Sequence, residues 1–410
     1  MTYFTHRLEA THNRRFRLKP HLAFLREIWF LAVSAFGGPQ AHIAMVLRNL
    51  VKRKAYLTEK ELLELMALCQ MLPGPTSTQT ITAIGFRRGG PSLAFLTLLV
   101  WSTPAVLAMG VLAFAYHYMA SEVGWTYRSL HYLRPMAVGF VLFAAIKLTP
   151  GVVKGKVHGT ILAVSALLAA LFPASWVFPL LLIAGGATTN FTSKEEARQN
   201  QRRFRINWNN LWLFLGIWAL AVILGNLTKF RPLLLFENVY RFGSIIFGGG
   251  QVLVPMMLEH FVNTKEYISN EEFLNGYGFV HALPGPVFSF STFIGTLCMQ
   301  HFGPGGMMIG ALIGAVGIFL PGTLLIFFVY PIWEYLKGYN MVTRSLEGIN
   351  AAACGVIAAA AYLLMDSISF SLTNMVTAGL AVLLIAYSRI PTPVIVLLFI
   401  GAGLVEQHLF

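Results

Sequence analysis

The chain has 410 residues, of which 56% are hydrophobic and only 11% are charged. Soluble domains carry about 25% charged residues, so this composition argues against a soluble enzyme and is typical of a membrane protein. The formal net charge is +13. Because the basic residues lie between apolar runs rather than along one polar face, they indicate membrane orientation and no nucleic-acid partner.

The sequence contains two similar segments, of which the first repeat covers residues 22–190. It follows a basic N-terminus at 1–21 that has no apolar core or cleavage site and is predicted to be cytoplasmic. An apolar helix at 21–36 is ended by Gly37-Gly38-Pro39. A second helix has a capping pattern at Thr58 and Glu61 and is broken at Pro73-Gly74-Pro75. Four apolar spans are then predicted, at 93–118, 133–148, 159–172 and 176–187.

The second repeat, residues 229–410, is separated from the first by a basic cytoplasmic linker at 191–210 and an unduplicated transmembrane span at 211–228. Phe36 and Phe247 are 211 positions apart, as are Pro73 and Pro284. Further spans are predicted at 307–330, 346–365, 372–387 and 393–408. The pattern predicts an all-α polytopic membrane protein with two inverted repeats joined by one extra transmembrane helix. Each repeat has two broken or re-entrant helical hairpins followed by four transmembrane helices.

The orientation follows from the lysine and arginine counts. If the broken elements are re-entrant hairpins, 24 basic residues lie on the cytoplasmic side and six on the other. Crossing elements would instead place the five basic residues of 48–60 outside. Either choice gives each repeat an even number of crossings, so the extra span inverts the second repeat and the termini lie on opposite sides of the inner (plasma) membrane. Such repeats bring their broken segments together near the midplane.

The broken segments are the predicted site for a small oxyanion. Helix restarts at Pro75 and Pro286 direct free N–H groups and the positive end of the helix dipole at a ligand. The first repeat is expected to supply most contacts, because Val287 and Phe288 replace polar residues in the second. The predicted substrate-binding residues are Gly37, Gly38, Gln40, Gly74, Pro75, Thr76, Ser77, Thr78, Gln79 and Thr80, with Gly248, Gly249, Gln251, Gly285, Pro286, Ser289 and Ser291.

Packing, membrane anchoring and ion coupling are alternative roles for residues near the breaks. Small residues also pack membrane helices, so packing is the alternative to a site, although the constant register of the duplication favours the site. Arg87 and Arg88 could attract anions or act as interfacial anchors; Glu64 and His281 could couple transport or simply pack. His42 and Gln70 also flank the breaks. No catalytic motif, metal cluster or cofactor motif is found, and Cys69, Cys298 and Cys354 are isolated, so neither an enzyme nor a cofactor is expected.

These motifs resemble the chromate ion transporter family in its long form with two homologous halves. The resemblance rests on the two Phe-Gly-Gly openings, at 36–40 and 247–251, and on the Leu-Pro-Gly-Pro sequences at 72–75 and 283–286. It implies export of chromate, or of a sulfate-like oxyanion, and chromate resistance. The membrane potential or an ion gradient is the expected driving force. A passive oxyanion channel, a transporter of sulfate and a homodimeric assembly are left open.

Overall fold

The structure, a computed structural model, describes residues 18–122, 130–174, 176–192, 207–247, 250–333 and 340–409. Within these ranges the regular elements are all helical, which confirms the predicted all-α class. The helices of the first repeat are α1 (Leu18–Ser34), α2 (Gly38–Val46), α3 (Glu59–Gln70), α4 (Thr76–Glu122), α5 (Leu133–Val152), α6 (Lys156–Leu171) and α7 (Val177–Thr192).

The linking helix α8 (Asn209–Thr228) leads into a second repeat with the same order of elements. A π-helical segment extends α2 at Leu47–Arg53 and extends α10 at Leu258–Thr264. The helices of this repeat are α9 (Arg231–Ile245), α10 (Gly250–Met257), α11 (Asn270–Ala282), α12 (Phe290–Cys298), α13 (Gly303–Val329), α14 (Asn340–Ser367), α15 (Leu372–Tyr387) and α16 (Thr392–Leu409).

The long helix α4 is interrupted at Gly89 and Gly90, which matches the break between α12 and α13 in the second repeat. Gly90 and Gly303 have φ values of 71° and 68°, a conformation that glycine adopts without steric cost. The predicted capped start at Thr58 is confirmed, because its side chain accepts a hydrogen bond from the Glu61 amide. Ser269 and Glu272 form the same capping box in the second repeat.

The broken elements of the first repeat fold back on themselves. Phe24 near the start of α1 packs edge-on against Tyr56 with ring centroids 5.5 Å apart, and Glu27 pairs with Lys54 at 2.8 Å. The chain therefore returns, after the break at Gly37, to the end where α1 began. The second broken element, α3 and the start of α4, also folds back on itself, because Glu61 in the first turn of α3 pairs with Arg87, which follows the break at Gly74.

The second repeat folds back in the corresponding way. The Arg231 guanidinium at the start of α9 lies 3.3 Å from the centroid of the Tyr267 ring, beyond the break. The amide of Gln300 donates to Glu272 at 3.2 Å, which joins the start of α11 to the end of α12. Hairpins, rather than helices that end on opposite sides, therefore describe the broken elements in both repeats.

The helices outside the hairpins include most of those suited to crossing a bilayer. The spans long and apolar enough by length and composition are Thr76–Met119, Leu133–Val152, Asn209–Thr228, Gln300–Ile332 and Arg344–Ser367. The predicted spans at 159–172, 176–187, 372–387 and 393–408 are seen as the shorter apolar helices α6, α7, α15 and α16, whereas the span predicted at 133–148 extends to Val152. This set of apolar helices identifies a polytopic membrane protein.

Helix ends that are distant in the sequence contact one another. The Oγ1 of Thr189 donates to the Arg344 carbonyl at 2.7 Å, and Lys154 pairs with Glu347 at 3.0 Å, so segments assigned to one side lie together. Arg134, assigned to the other side, pairs instead with Glu271. These contacts join residues 154 and 189 to the start of α14, and the start of α5 to the start of α11.

The two repeats interlock through α5 and α14. A Cβ on Gly139 of α5 would lie 2.5 Å from the Ala378 carbonyl of α15, and one on Gly355 of α14 would lie 2.3 Å from the Leu162 carbonyl of α6. Gly139 and Gly355 are 216 positions apart, and so are Leu162 and Ala378. Each repeat therefore packs its α5 or α14 closely against the other repeat by equivalent residues.

We expect Gly355→Ala to destabilise the protein by about 1–3 kcal/mol, the usual range for an overpacked core. The new methyl group would force α14 away from the Leu162 carbonyl. Gly379→Ala is the matched control, because a Cβ at that helical glycine would have no atom within 4 Å. Thermal unfolding of the purified variants in detergent checks this. Equal melting temperatures for the two would contradict close packing at Gly355.

Candidate functional site

The breaks of the two repeats meet through a reciprocal pair of backbone hydrogen bonds. The Gly74 amide donates to the Ile246 carbonyl at 2.7 Å, and the Gly285 amide donates to the Ala35 carbonyl at 2.8 Å. Donors and acceptors are each 211 positions apart. The break at Gly74 is thus joined to the end of α9 in the second repeat, and the break at Gly285 to the residue before Phe36 in the first.

The helix start in the first repeat exposes unpaired amide groups. The α4 helix begins at Thr76, one residue later than predicted, and its first backbone bond runs from the Gln79 amide to the Pro75 carbonyl at 2.8 Å. The amides of Thr76, Ser77 and Thr78 precede that bond and have no acceptor within the helix. Together with the positive end of the helix dipole, they suit an anion.

Ser77 is linked to the first break through His42. The Ser77 Oγ lies 3.2 Å from His42 Nδ1, and His42 Nε2 lies 3.2 Å from the Ala35 carbonyl. A carbonyl oxygen only accepts, so Nε2 carries a hydrogen. In the neutral imidazole Nδ1 then accepts from Ser77, whereas in the imidazolium Nδ1 donates and the Ser77 hydroxyl is free to donate to a ligand.

Thr78 is held by Trp101, which the sequence reasoning missed. The Trp101 indole N–H donates to Thr78 Oγ1 at 3.1 Å, and the indole packs edge-on against His42 with ring centroids 5.2 Å apart. As acceptor from Trp101, Thr78 keeps its own hydroxyl hydrogen for another partner. No duplicated motif contains Trp101, and only its place three residues before Pro104 could have drawn attention to it.

Gln79 lies against both repeats. Its Nε2 donates to the Pro73 carbonyl at 2.7 Å, while its Oε1 is buried with no hydrogen-bond partner among the described residues. A Cβ at Gly74 or at Gly322 of α13 would lie 2.9 Å from that Nε2. A side chain at either position would displace the Gln79 amide, and the φ of +117° at Gly74 is a separate reason for glycine there.

The second repeat has a different and more apolar helix start. Pro286 precedes a single 3₁₀ turn, Val287–Ser289, and α12 begins at Phe290. Ser289 is completely buried and its hydroxyl has no partner among the described residues. Ser291 donates to the Gly314 carbonyl at 2.7 Å, so its hydroxyl is used in packing against α13. This arrangement agrees with the predicted inequality of the two copies.

Several predicted residues lie away from Ser77. Thr80 donates to the Thr76 carbonyl, 2.8 Å away within α4. Arg87 is paired with Glu61, and Arg88 lies over the Tyr56 ring at 4.2 Å. Both arginines follow Thr76 by eleven or more residues, about 16 Å along the helix, so neither contacts an ion held at the helix start.

The remaining candidates are placed only in part. Glu64 on α3 is partly exposed. His281 packs edge-on against Phe140 at 4.7 Å, and its Nε2 has no partner among the described residues. Gly37 and Gly38 form the first turn with φ values of 92° and 75°. Gly248, Gly249 and the side chains of Gln40 and Gln251 lie outside the described residues.

The chemistry available at this site is that of uncharged donors in a dry environment. Ser77, Thr78 and Gln79 are at most 4% exposed. Backbone amides, hydroxyls and an indole surround them, and such donors can replace the hydration of an oxyanion without a covalent step. Within the described residues no group of three or more His, Cys, Asp or Glu could hold a metal ion.

The paired hairpins, the apolar helices and the buried donors at a broken helix are the features of a membrane transporter. Comparison with protein families matches residues 22–190 and 233–405 to the family described as chromate transporter. The chain belongs to the chromate transporter family.

Curated relatives agree over most of the chain. A probable chromate transport protein of Synechococcus elongatus is 25% identical over 92% of this chain and 94% of its own length. A chromate transport protein of Cupriavidus metallidurans is 26% identical over 92% of this chain and 90% of its own length. One from Pseudomonas aeruginosa is 25% identical over 79% and 76%, respectively. No solved structure matches this chain.

Proposed function

We propose that the chain is a secondary transporter that exports chromate from the cytoplasm and confers chromate resistance. The observation that carries the proposal is the cluster of buried, uncharged donors at Ser77 and Thr78, placed where the two repeats exchange backbone hydrogen bonds. A tetrahedral oxyanion fits such a cluster, because it accepts hydrogen bonds in every direction. Family membership and the names of the relatives support chromate as the substrate.

The proposed driving force is the membrane potential. A dianion that leaves a negative-inside cell gains about 4.6 kcal/mol for each 100 mV, twice the value for a single charge. Arg87 and Arg88 do not reach the cluster around Ser77, so while His42 is neutral the site leaves the charge of the ion uncompensated and the ion is carried with its full negative charge. Release of the ion is also easier from neutral donors than from a buried arginine.

The proposed topology has the N-terminus in the cytoplasm, re-entrant hairpins in both repeats and an inverted second repeat. It is supported by the folding-back contacts at Tyr56 and Tyr267 and by the separation of Lys154 from Arg134. Because the repeats are tied together at Gly74 and Gly285, we propose that the hairpins move as one group against α5–α7 and α14–α16.

Everted membrane vesicles test this function directly. Chromate uptake should saturate with concentration, and its initial rate should rise when the vesicle interior is clamped positive. Uptake that ignores the potential and strictly requires ATP would overturn the proposal. Non-saturating flux with single-channel currents would assign the chain to the passive channel class instead.

The choice between chromate and other tetrahedral dianions is a separate measurement. Sulfate has the same charge and shape as chromate, and the donors of Ser77 and Thr78 do not distinguish the two by geometry. Competition by sulfate and molybdate against chromate uptake in the same vesicles ranks the substrates. A preference for sulfate would make chromate a secondary substrate.

A further inference from the structure

A second anionic group can be accommodated away from Ser77, in a cavity of about 480 Å³ between α1 and the π-helical end of the first hairpin. The side chains that line it are Arg26, Glu27, Phe30, Leu31, Val33, Ser34, Asn49, Arg53 and Lys54. Its charged residues lie toward the base of the hairpin. Its apolar residues continue along α1 for about 10 Å toward the break.

The charges in the cavity are unequal. Lys54 is neutralised by Glu27 at 2.8 Å. Arg26 and Arg53 form no ion pair among the described residues, and the Arg26 guanidinium lies 5.7 Å from the Phe30 ring centroid. Two uncompensated guanidinium groups at one end of a cavity suit a phosphate group, since each can donate two parallel hydrogen bonds to its oxygens.

The apolar part of the cavity favours a lipid over a free anion. Phe30 is 53% exposed and Val33 is 39% exposed. A dissolved oxyanion gains nothing from these side chains, whereas an acyl chain buries its surface against them. We propose that this cavity binds an anionic phospholipid, with its phosphate held by Arg26 and Arg53 and an acyl chain along Phe30 and Val33.

The equivalent place in the second repeat lacks these features. Glu237 occupies the position 211 residues after Arg26, and Thr264 the position 211 residues after Arg53. Arg241 there is paired with Glu237 at 3.4 Å. The proposal therefore assigns one such lipid to each chain, at the base of the first hairpin alone.

Native mass spectrometry of the purified full chain tests the proposal with two lipids, phosphatidylglycerol and phosphatidylcholine. The natural protein should retain one phosphatidylglycerol in preference to phosphatidylcholine. The double variant R26Q/R53Q should bind phosphatidylglycerol about 25-fold more weakly, since each basic residue near an anionic lipid contributes roughly fivefold. R26K/R53K keeps both charges but loses the paired N–H donors of the guanidinium groups, so its affinity for phosphatidylglycerol should lie between those of the natural protein and R26Q/R53Q.

The control is R48Q/K52Q, which removes two charges from the same π-helical segment but not from the cavity lining. An equal loss of binding in this control would replace the cavity with diffuse surface attraction. Equal retention of the two lipids by the natural protein would overturn the proposal without any variant. Displacement of the bound lipid by sulfate would assign the cavity to a free oxyanion and would also overturn it.

Discussion

Ser77→Ala is expected to lower chromate transport by about ten- to hundredfold, the equivalent of the roughly 1.5–3 kcal/mol that a hydrogen bond to a charged group contributes. Ser77 is buried at the start of α4, and its hydroxyl is held toward the first break by His42. Alanine keeps the helix and removes the hydroxyl, together with its hydrogen bond to His42. Initial rates of chromate uptake in vesicles, normalised to the amount of protein in the membrane, measure the effect.

Ser289→Ala provides the matched control in the second repeat. Ser289 is also fully buried beside a helix start, but its hydroxyl has no partner among the described residues. We expect its removal to change uptake by less than about threefold, within the range of a weak or absent hydrogen bond. Mild and equal effects of the two substitutions would indicate that both serines only pack helices.

Gly285→Ala is expected to be the most damaging single substitution at the breaks. The φ of +107° at Gly285 is unfavourable for alanine, and a Cβ there would lie 2.8 Å from the Ala105 Cβ of α4. Strain of this kind costs about 1–3 kcal/mol, and relief of the clash would also pull the Gly285 amide away from the Ala35 carbonyl. We expect loss of transport and a lower melting temperature.

Gly303→Ala is the control that separates the effect of backbone strain from the effect of a clash with Ala105. Gly303 has a φ of +68°, but a Cβ there would have no atom within 4 Å. Alanine at this position therefore brings backbone strain without a clash. If Gly303→Ala were as harmful as Gly285→Ala in both uptake and thermal unfolding, the contact between Gly285 and Ala105 would have no special importance.

The features that the sequence predicted well are those repeated in it or set by composition. The 211-residue step identified the broken segments, and the capping pattern at Thr58 identified the start of α3. Lysine and arginine counts assign the helix ends to two sides of the membrane, because charged side chains stay out of the hydrocarbon layer, and that assignment stays a prediction. The unequal copies were predicted from Val287 and Phe288, which stand where the first repeat has Thr76 and Ser77.

Contacts between distant parts of the chain could not be predicted in this way. Trp101 approaches the start of α4 because the part of α4 that follows the interruption at Gly89 and Gly90 packs against that start. Gly322 approaches it because α13 packs there, and neither residue belongs to the duplicated motif. The bonds from Gly74 to Ile246 and from Gly285 to Ala35 depend on how the repeats dock. The 3₁₀ turn after Pro286, which delays the start of α12 to Phe290, was also not evident from the sequence.

The central claim is that the two breaks form one shared anion site whose donors come mainly from the first repeat. Equilibrium binding of radiolabelled chromate to the purified protein tests it most directly. We predict one chromate per chain, with affinity greatly reduced by Ser77→Ala and nearly unchanged by Ser289→Ala. Two equivalent sites per chain, or equal losses of affinity in the two variants, would contradict the claim.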